Sequence, residues 1–188
     1  MDVFDKALDY ASKAHMGATR KCLNIPYIIH PMEAAVIAAT LTDDREVLAA
    51  VLLHDTVEDA GVKPQEIEEL FGLRVAGLVA SETENKRDDR PKGETWKIRK
   101  EESLRELKDS NDIGVKILWL SDKLSNMRSF YRQYLKEGDS LWNKFNQSDP
   151  KMQEWYYRSV AQYTSELSDT PAWAEYSELT DKVFGGNE

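Results

Sequence analysis

The segment Ala50-Val51-Leu52-Leu53-His54-Asp55-Thr56-Val57-Glu58-Asp59 joins an apolar run to a cluster of ionisable side chains. Its apolar half continues a helical pattern that begins at Val47 and Leu48, so we predict a helix that ends at His54-Asp55. Neighbouring side chains on a helix point about 100° apart, so these two can reach one ion only near an unwound helix end or with the ion seated between helices. Residues 56–61, which contain two more acids, are predicted to form such an end.

Two other potential metal ligands lie in apolar surroundings elsewhere in the chain. His30 follows Tyr27-Ile28-Ile29, and Asp122 lies in the largely apolar run from Ile117 to Leu124. A buried acid needs a partner, and a divalent cation is a suitable one. Taken singly, such a histidine is more often a hydrogen-bonded core residue, and such an acid is usually solvated. Together, two imidazoles and two carboxylates suit Mn²⁺, Fe²⁺ or Zn²⁺ better than Ca²⁺, and they are supplied by His30, His54, Asp55 and Asp122.

The composition is that of an ordinary globular protein. The chain has 188 residues, 41% hydrophobic and 31% charged, so we expect one domain over residues 1–188 that a C-terminal helix pair at 148–188 completes. With 25 basic and 34 acidic side chains the net charge is −9, and such a surface repels nucleic acid and anionic lipid. We expect neither as a partner, so a phosphate-bearing partner must be bound locally.

One segment reverses this charge. Residues 86–100, here called the basic arm, hold seven basic and three acidic side chains, a net charge of +4. Unless other features indicate phosphate, a solvated loop and helix face is the simpler interpretation of such an arm. The arm is therefore a candidate for local phosphate binding only in combination with other features.

Helical periodicity and helix-start signals account for most of the chain, and no strand alternation or internal repeat is present. The predicted fold class is all-α, a single compact helical bundle of about eight to ten helices. Start signals are Pro31, Asp43 with Glu46 three residues later, Asp112, Asp149 before Pro150, and Thr170 before Pro171.

Cysteine usage and the N-terminal sequence predict the compartment. The single Cys22 cannot form an internal disulfide, which fits a reducing environment. The N-terminal residues lack the features of a signal peptide, and no segment approaches the ~20 apolar residues of a membrane span. We expect a cytoplasmic protein.

Blocks of sequence between Ala11 and about Tyr157 carry a more specific signal than any single residue. They are Ala14-His15-x-Gly17-x-x-Arg20-Lys21, Pro26-Tyr27-Ile28-Ile29-His30-Pro31, Ala50 to Asp59, Phe71-Gly72, and Leu120-Ser121-Asp122-Lys123-Leu124-Ser125-Asn126-Met127-Arg128. In these blocks the chain resembles the HD-domain phosphohydrolases and, within them, the small alarmone hydrolases related to the hydrolase half of Rel/SpoT proteins.

This resemblance implies a stand-alone enzyme with one metal site. It implies that the two histidines and two aspartates above bind one ion, usually Mn²⁺ in this family, and that Glu58 and Asp59 are the catalytic pair. The implied reaction removes the 3′-pyrophosphate from guanosine tetraphosphate or pentaphosphate, giving GDP or GTP and pyrophosphate. A bound cation lowers the pKa of its water and stabilises charge on phosphoryl oxygens, which is consistent with that reaction.

The resemblance also implies contacts to the substrate. This chain departs from the family pattern at Cys22, Ser125 and the segment Ser81-Glu82-Thr83. These departures concern binding of the nucleoside more than binding of the metal. A structural role for Trp155, packing with other aromatic residues, is an equal alternative. The implied substrate contacts are Arg20, Lys21, Lys97, Asn126, Lys151 and Trp155.

Two other functions remain open at this point. The same site could act on adenosine nucleotides that carry a 3′-pyrophosphate, or on the 2′-phosphate of NADPH. A non-enzymatic alternative is a nucleotide-binding sensor or an antitoxin partner, although the complete ligand set and Glu58-Asp59 argue against it. The sequence does not determine the oligomeric state.

Overall fold

The computed structural model of the protein describes residues 2–20, 23–87 and 89–185. Within these ranges the chain forms ten α-helices and two short 3₁₀ helices, and it contains no strand beyond one isolated bridge pair, Thr19 with Pro26. The all-α prediction is confirmed. The helices are α1 Val3–Ala14, α2 Ile29–Ala38, α3 Arg45–Leu53, α4 Thr56–Asp59, α5 Pro64–Phe71, α6 Leu73–Ala80, α7 Lys92–Asp109, α8 Ile113–Glu137, α9 Pro150–Tyr163 and α10 Pro171–Phe184.

Helix α8 is the centre of the fold, because α2, α3, α6, α7, α9 and α10 all pack against it. Leu118, Trp119 and Leu120 at its middle are fully buried. A helix whose consecutive residues are all buried in this way lies inside the bundle rather than on its surface. Ile117, Leu120, Leu124 and Met127 of α8 are buried, whereas Ile113 is 50% exposed because it lies in the first turn, at the edge of the bundle.

The chain interrupts its helix at His54 and Asp55, as the pattern of residues 50–59 predicted. Helix α3 ends at Leu53, the next two residues form a turn, and α4 then adds a single helical turn. Thr56 Oγ1 donates to the carbonyl oxygen of Leu53 at 2.7 Å, which satisfies one of the carbonyl groups left free at the end of a helix. The interruption lies slightly earlier than predicted, because residues 56–59 are helical again.

Asp44 caps α3, and the prediction that Asp43 does so is wrong by one residue. The Asp44 side chain accepts hydrogen bonds from the backbone N–H groups of Glu46 and Val47, at 3.0 and 3.4 Å, whereas Asp43 is exposed. These bonds satisfy N–H groups that have no partner within the helix. Asp44 also lies 2.7 Å from the guanidinium of Arg74 on α6, so the cap ties α3 to its neighbour.

Asp44→Ala should lower the free energy of unfolding by about 1 to 2 kcal/mol, because it removes the cap of the helix that directly precedes two of the candidate ligands. Thermal or urea unfolding of the variant measures this. Asp43→Ala is the matched control and should change stability little. Equal effects of the two substitutions would contradict the assignment of the cap.

The last two helices begin where the sequence predicted. Asp149 and Thr170 cap α9 and α10, each just before a proline. Tyr176 of α10 is fully buried, and its hydroxyl donates to the carbonyl oxygen of Tyr157 on α9 at 2.8 Å. Because α10 packs along α8, it lies next to the helix that carries Asp122.

In the ranges that the structure covers, no helix combines the length and the hydropathy that crossing a bilayer requires.

Candidate metal centre and active site

Four side chains from three parts of the chain converge against α8. His30 Nε2 of α2 lies 2.8 Å from Asp122 Oδ1 of α8 and 3.5 Å from Asp55 Oδ2. His54 Nε2 lies 3.1 Å from Asp55 Oδ2 and 3.5 Å from Asp122 Oδ1. His30, His54 and Asp122 are buried and close enough together to hold one metal ion, and Asp55 faces both imidazoles from the α3–α4 turn. The arrangement is a mixed nitrogen and oxygen set of the kind that binds transition metals.

Hydrogen bonding fixes which nitrogen of His54 faces this group. Nδ1 lies 2.7 Å from the carbonyl oxygen of Val51, and a carbonyl only accepts, so Nδ1 carries the proton and Nε2 carries a lone pair in the neutral ring. Nε2 is buried and has no hydrogen-bond partner among the described residues. A buried polar atom without a partner needs an explanation, and a cation bound at Nε2 supplies one.

Charge in the group also favours a cation. Burial lowers the pKa of His30. Burial opposes charge on His54 as well, but the carboxylates of Asp55 and Asp122 raise its pKa well above the usual value. A proton on His54 and a divalent cation are therefore two ways of balancing the same pair of carboxylates. Metal binding should release that proton.

The Ser125 hydroxyl orients the His30 ring through its Nδ1 atom. His30 Nδ1 lies 2.8 Å from Ser125 Oγ, and the same hydroxyl donates to Glu33 Oε2 at 2.8 Å. Because the Ser125 proton is directed to the carboxylate, Ser125 Oγ accepts from Nδ1–H of His30. The lone pair of Nε2 then points at Asp122, which is the tautomer that a metal ligand needs.

The support for His30 continues to the last helix. Arg128 Nη1 donates to Glu33 Oε1 at 3.3 Å, and its Nε and Nη2 each donate to one carboxylate oxygen of Glu175 on α10 at 2.7 Å. This bidentate pair fixes Arg128, which in turn holds Glu33 against Ser125. Ser125, a departure from the family pattern, thus serves as a hydrogen-bond partner of a candidate ligand.

Ser125→Ala should weaken metal binding by roughly 10- to 100-fold, because His30 loses the group that fixes its ring. Isothermal titration calorimetry of metal-stripped protein with Mn²⁺ measures this affinity in the absence of substrate. Ser121→Ala is the matched control on the same helix, since the Ser121 hydroxyl is buried without a hydrogen-bond partner among the described residues. Unchanged affinity in Ser125→Ala would show that His30 needs no such support.

Asp122 is held by two neighbours on its own helix. Asn126 Nδ2 donates to Oδ1 at 2.9 Å, and Lys123 Nζ donates to Oδ2 and, at 2.7 Å, to Glu82 Oε1. Asp122, Lys123 and Glu82 are buried, and Asn126 is partly exposed. Burial opposes charge on Lys123, but the two carboxylates raise its pKa well above the usual value, so it stays charged. Lys123 and Glu82 were not assigned roles from the sequence, although a lysine inside a buried helical run was a signal.

The predicted catalytic pair lies on α4, directly after the turn with the two candidate ligands. Burial, together with the charges of Glu84 and Asp55, raises the pKa of Glu58 above its usual value. A carboxylate with a raised pKa in a cleft is suited to accept a proton near neutral pH.

Asp59 is fixed on both sides. The Tyr27 hydroxyl lies 2.6 Å from Asp55 Oδ2 and 3.0 Å from Asp59 Oδ2, while Lys86 Nζ donates to Asp59 Oδ1 at 2.8 Å. Tyr27 therefore couples the candidate ligand Asp55 to Asp59 through one hydroxyl. The Tyr27 contact was not foreseen from the sequence.

A cavity of about 180 Å³ opens over these groups. Arg20 and Asn126 lie in its wall, and Arg20 donates to Asn126 Oδ1 with its guanidinium 5.6 Å from the ring centre of Tyr27. Two of the substrate contacts that the family resemblance implies are therefore close to Asp122. The remaining wall is formed by Tyr27, His30, Asp55, Glu58, Glu82, Glu84, Lys100, Trp119, Asp122, Lys123 and Tyr156.

Three further residues that the family resemblance assigned to substrate, Lys97, Lys151 and Trp155, do not line this cavity. Lys97 is exposed and lies 3.8 Å from Glu101, and Lys151 is exposed at the start of α9. Trp155 packs against Trp96. Lys21 lies outside the described residues. Lys100, one turn beyond Lys97, and Tyr156, beside Trp155, occupy the cavity wall in their place.

A family model described as HD domain matches residues 7–148, which include all four candidate ligands and the acidic pair. The chain belongs to the HD-domain family. This HD domain is 36% identical, over 67% of its length, to a guanosine-3′,5′-bis(diphosphate) 3′-pyrophosphohydrolase of Aquifex aeolicus. It is 34% identical, over 69% of its length, to a GTP pyrophosphokinase of Myxococcus xanthus. In each case the match spans only 17% of the relative.

Two solved structures resemble the HD domain over most of their length. A protein of Listeria monocytogenes EGD-e superposes with a TM-score of 0.72 and 31% identity, covering 84% of this chain and 99% of that one. A metazoan ortholog of SpoT, described as hydrolysing ppGpp, superposes with a TM-score of 0.73 and 25% identity, covering 95% and 94%. The helical scaffold around the cavity is thus shared with a structure that carries this description.

Proposed function

We propose that this HD domain removes the 3′-pyrophosphate from guanosine tetraphosphate or pentaphosphate, giving GDP or GTP and pyrophosphate. The observation that carries the proposal is the group of two imidazoles and two carboxylates, buried except for Asp55, with Glu58 and Asp59 on the adjacent turn and Arg20 in the same cavity. The names of the Aquifex relative and of the metazoan structure support this substrate. We also propose that His30, His54, Asp55 and Asp122 are the ligands of one ion.

The cation we propose is Mn²⁺, with Fe²⁺ or Zn²⁺ as substitutes that suit the same donors. When bound, it lowers the pKa of a water and stabilises charge on the phosphoryl oxygens. The unpartnered Nε2 of His54 and the fixed tautomers of both histidines support a site prepared for such an ion.

The residues around this site have distinct tasks in the proposed reaction. Glu58 accepts a proton from the attacking water, whose oxygen bonds to the phosphorus attached to the ribose 3′-oxygen. The bond from that phosphorus to the 3′-oxygen breaks, and Glu58 returns the proton to the 3′-oxygen. Asp59, held by Tyr27 and Lys86, orients the water. Arg20 and Lys100 offer positive charge to the phosphates.

The test is release of pyrophosphate from guanosine tetraphosphate by metal-stripped protein, with and without added Mn²⁺, with the nucleoside product resolved by chromatography. Metal-dependent formation of GDP is the expected result. Failure of folded, metal-loaded protein to form GDP would overturn the proposal, and parallel rates on adenosine 3′-pyrophosphates and NADPH would show whether the substrate alone was wrong. Tight nucleotide binding without turnover would instead support a sensor or an antitoxin partner.

A further inference from the structure

A second cavity of about 170 Å³ adjoins the first at Glu58. Glu58 is the one residue in the walls of both cavities, and neither Arg20 nor Asn126 reaches the second. The other residues of its wall are Asp59, Lys86, Lys92, Arg99 and Asn146. The second cavity therefore adjoins the side chain that we propose acts at the reacting phosphorus.

Three basic side chains outnumber the two carboxylates, Glu58 and Asp59, in this wall. Lys86 is paired with Asp59 at 2.8 Å, and Arg99 is paired with Glu84. Lys92 is exposed and lies within 4 Å of no carboxylate among the described residues. Its ammonium group is thus free to bind an anion, beside two other cations already fixed in place.

Two backbone segments that border this cavity, at Gly93 and at Asn146, lie against each other. Lys92 begins α7, and the next residue, Gly93, lies so close to the carbonyl of Asn146 that a Cβ on Gly93 would be 3.3 Å from that oxygen. The segment containing Asn146 follows the 3₁₀ helix Gly138–Lys144. The start of α7, which carries Lys92, therefore packs against the segment of Asn146, and both residues line the second cavity.

We propose that the second cavity binds the terminal phosphate of the 3′-pyrophosphate, with Lys92 as its principal contact. The inference rests on the proposed function, in which Glu58 acts at the phosphorus next to the ribose. The terminal phosphate extends away from the ribose, past Glu58, toward Lys92. A single ribose phosphate, such as the 2′-phosphate of NADPH, would leave the second cavity without its anion. Lys92 thus favours pyrophosphate over monophosphate substrates.

The experiment compares Lys92→Gln with wild-type protein, each loaded with Mn²⁺ and checked for equal metal content and equal thermal stability. Equilibrium dialysis with inorganic pyrophosphate and with orthophosphate measures binding. Loss of a charge-assisted contact should weaken pyrophosphate binding roughly tenfold or more and leave orthophosphate binding unchanged. Lys136→Gln, an exposed lysine on α8 outside both cavities, should match wild type for both anions.

Kinetics provide a second readout. The ratio of kcat/KM for guanosine tetraphosphate to that for NADPH should fall about tenfold in Lys92→Gln. Pyrophosphate binding equal to wild type, or an equal loss for both anions, would overturn the inference. If wild-type protein turns over no guanosine tetraphosphate, the proposed function fails, and the dialysis result still decides whether the second cavity selects pyrophosphate.

Discussion

Asp122→Asn is expected to abolish both stable Mn²⁺ binding and pyrophosphate release. The carboxylate is buried, lies against both imidazoles, and is positioned by Lys123 and Asn126. An amide of the same size keeps the shape but removes the charge that a cation requires. The loss in metal affinity should exceed the roughly 10- to 100-fold that removal of a supporting residue costs.

Metal content after dialysis and Mn²⁺ titration of the variant check this result. Far-UV circular dichroism must show retained helix, because the substitution leaves Lys123 buried with one carboxylate partner, Glu82. Asp43→Asn, at an exposed acid, is the matched control. A folded Asp122→Asn protein that binds Mn²⁺ as tightly as wild type would remove Asp122 from the ligand set.

Glu58→Gln should lower kcat by roughly 10²- to 10⁴-fold while the metal remains bound. The amide cannot accept the proton of the attacking water, whereas the four proposed ligands are untouched. Asp59→Asn should act in the same direction, because it removes the negative charge that holds Lys86 beside the pair. Glu58→Gln and Asp59→Asn should thus lose activity but keep the metal, whereas Asp122→Asn should lose both.

Steady-state kinetics together with metal analysis test this pair of substitutions. Glu69→Gln, on the exposed face of α5, controls for loss of a glutamate at the surface. Substantial turnover by Glu58→Gln would show that another group, or the solvent, takes the proton. Loss of metal from the same variant would instead make Glu58 a ligand.

The helical fold and the inner part of the site could be predicted because their signals are local. The apolar run before His54 and Asp55 marks the end of α3, and Asp149 and Thr170 before prolines mark two later helix starts. Periodicity of this kind reports burial directly. The error at Asp43 has a local cause as well, since two adjacent aspartates offer equivalent capping side chains and only the backbone conformation selects one of them.

The outer part of the site depends on contacts between distant segments, which no local pattern encodes. Basic residues occur on several faces of α7, so the sequence could not tell that Lys100 would face the cavity and Lys97 the solvent. The same holds for Ser125, whose partner Glu33 lies on α2. The buried pair of Glu82 and Lys123 is similar, because each residue alone looks like a solvated charge until packing brings the two together.

The pairing of Arg128 with Glu175 has a consequence for the order in which the protein is made. A growing chain that has emerged as far as α8 already carries every proposed ligand, but the carboxylate that anchors Arg128 arrives only with α10. Until α10 is present, Arg128 lacks this partner, and the contacts of Glu33 and Ser125 that orient His30 are less firmly fixed. The nascent chain is therefore expected to reach its full affinity for a cation only once α10 has emerged and docked against α8.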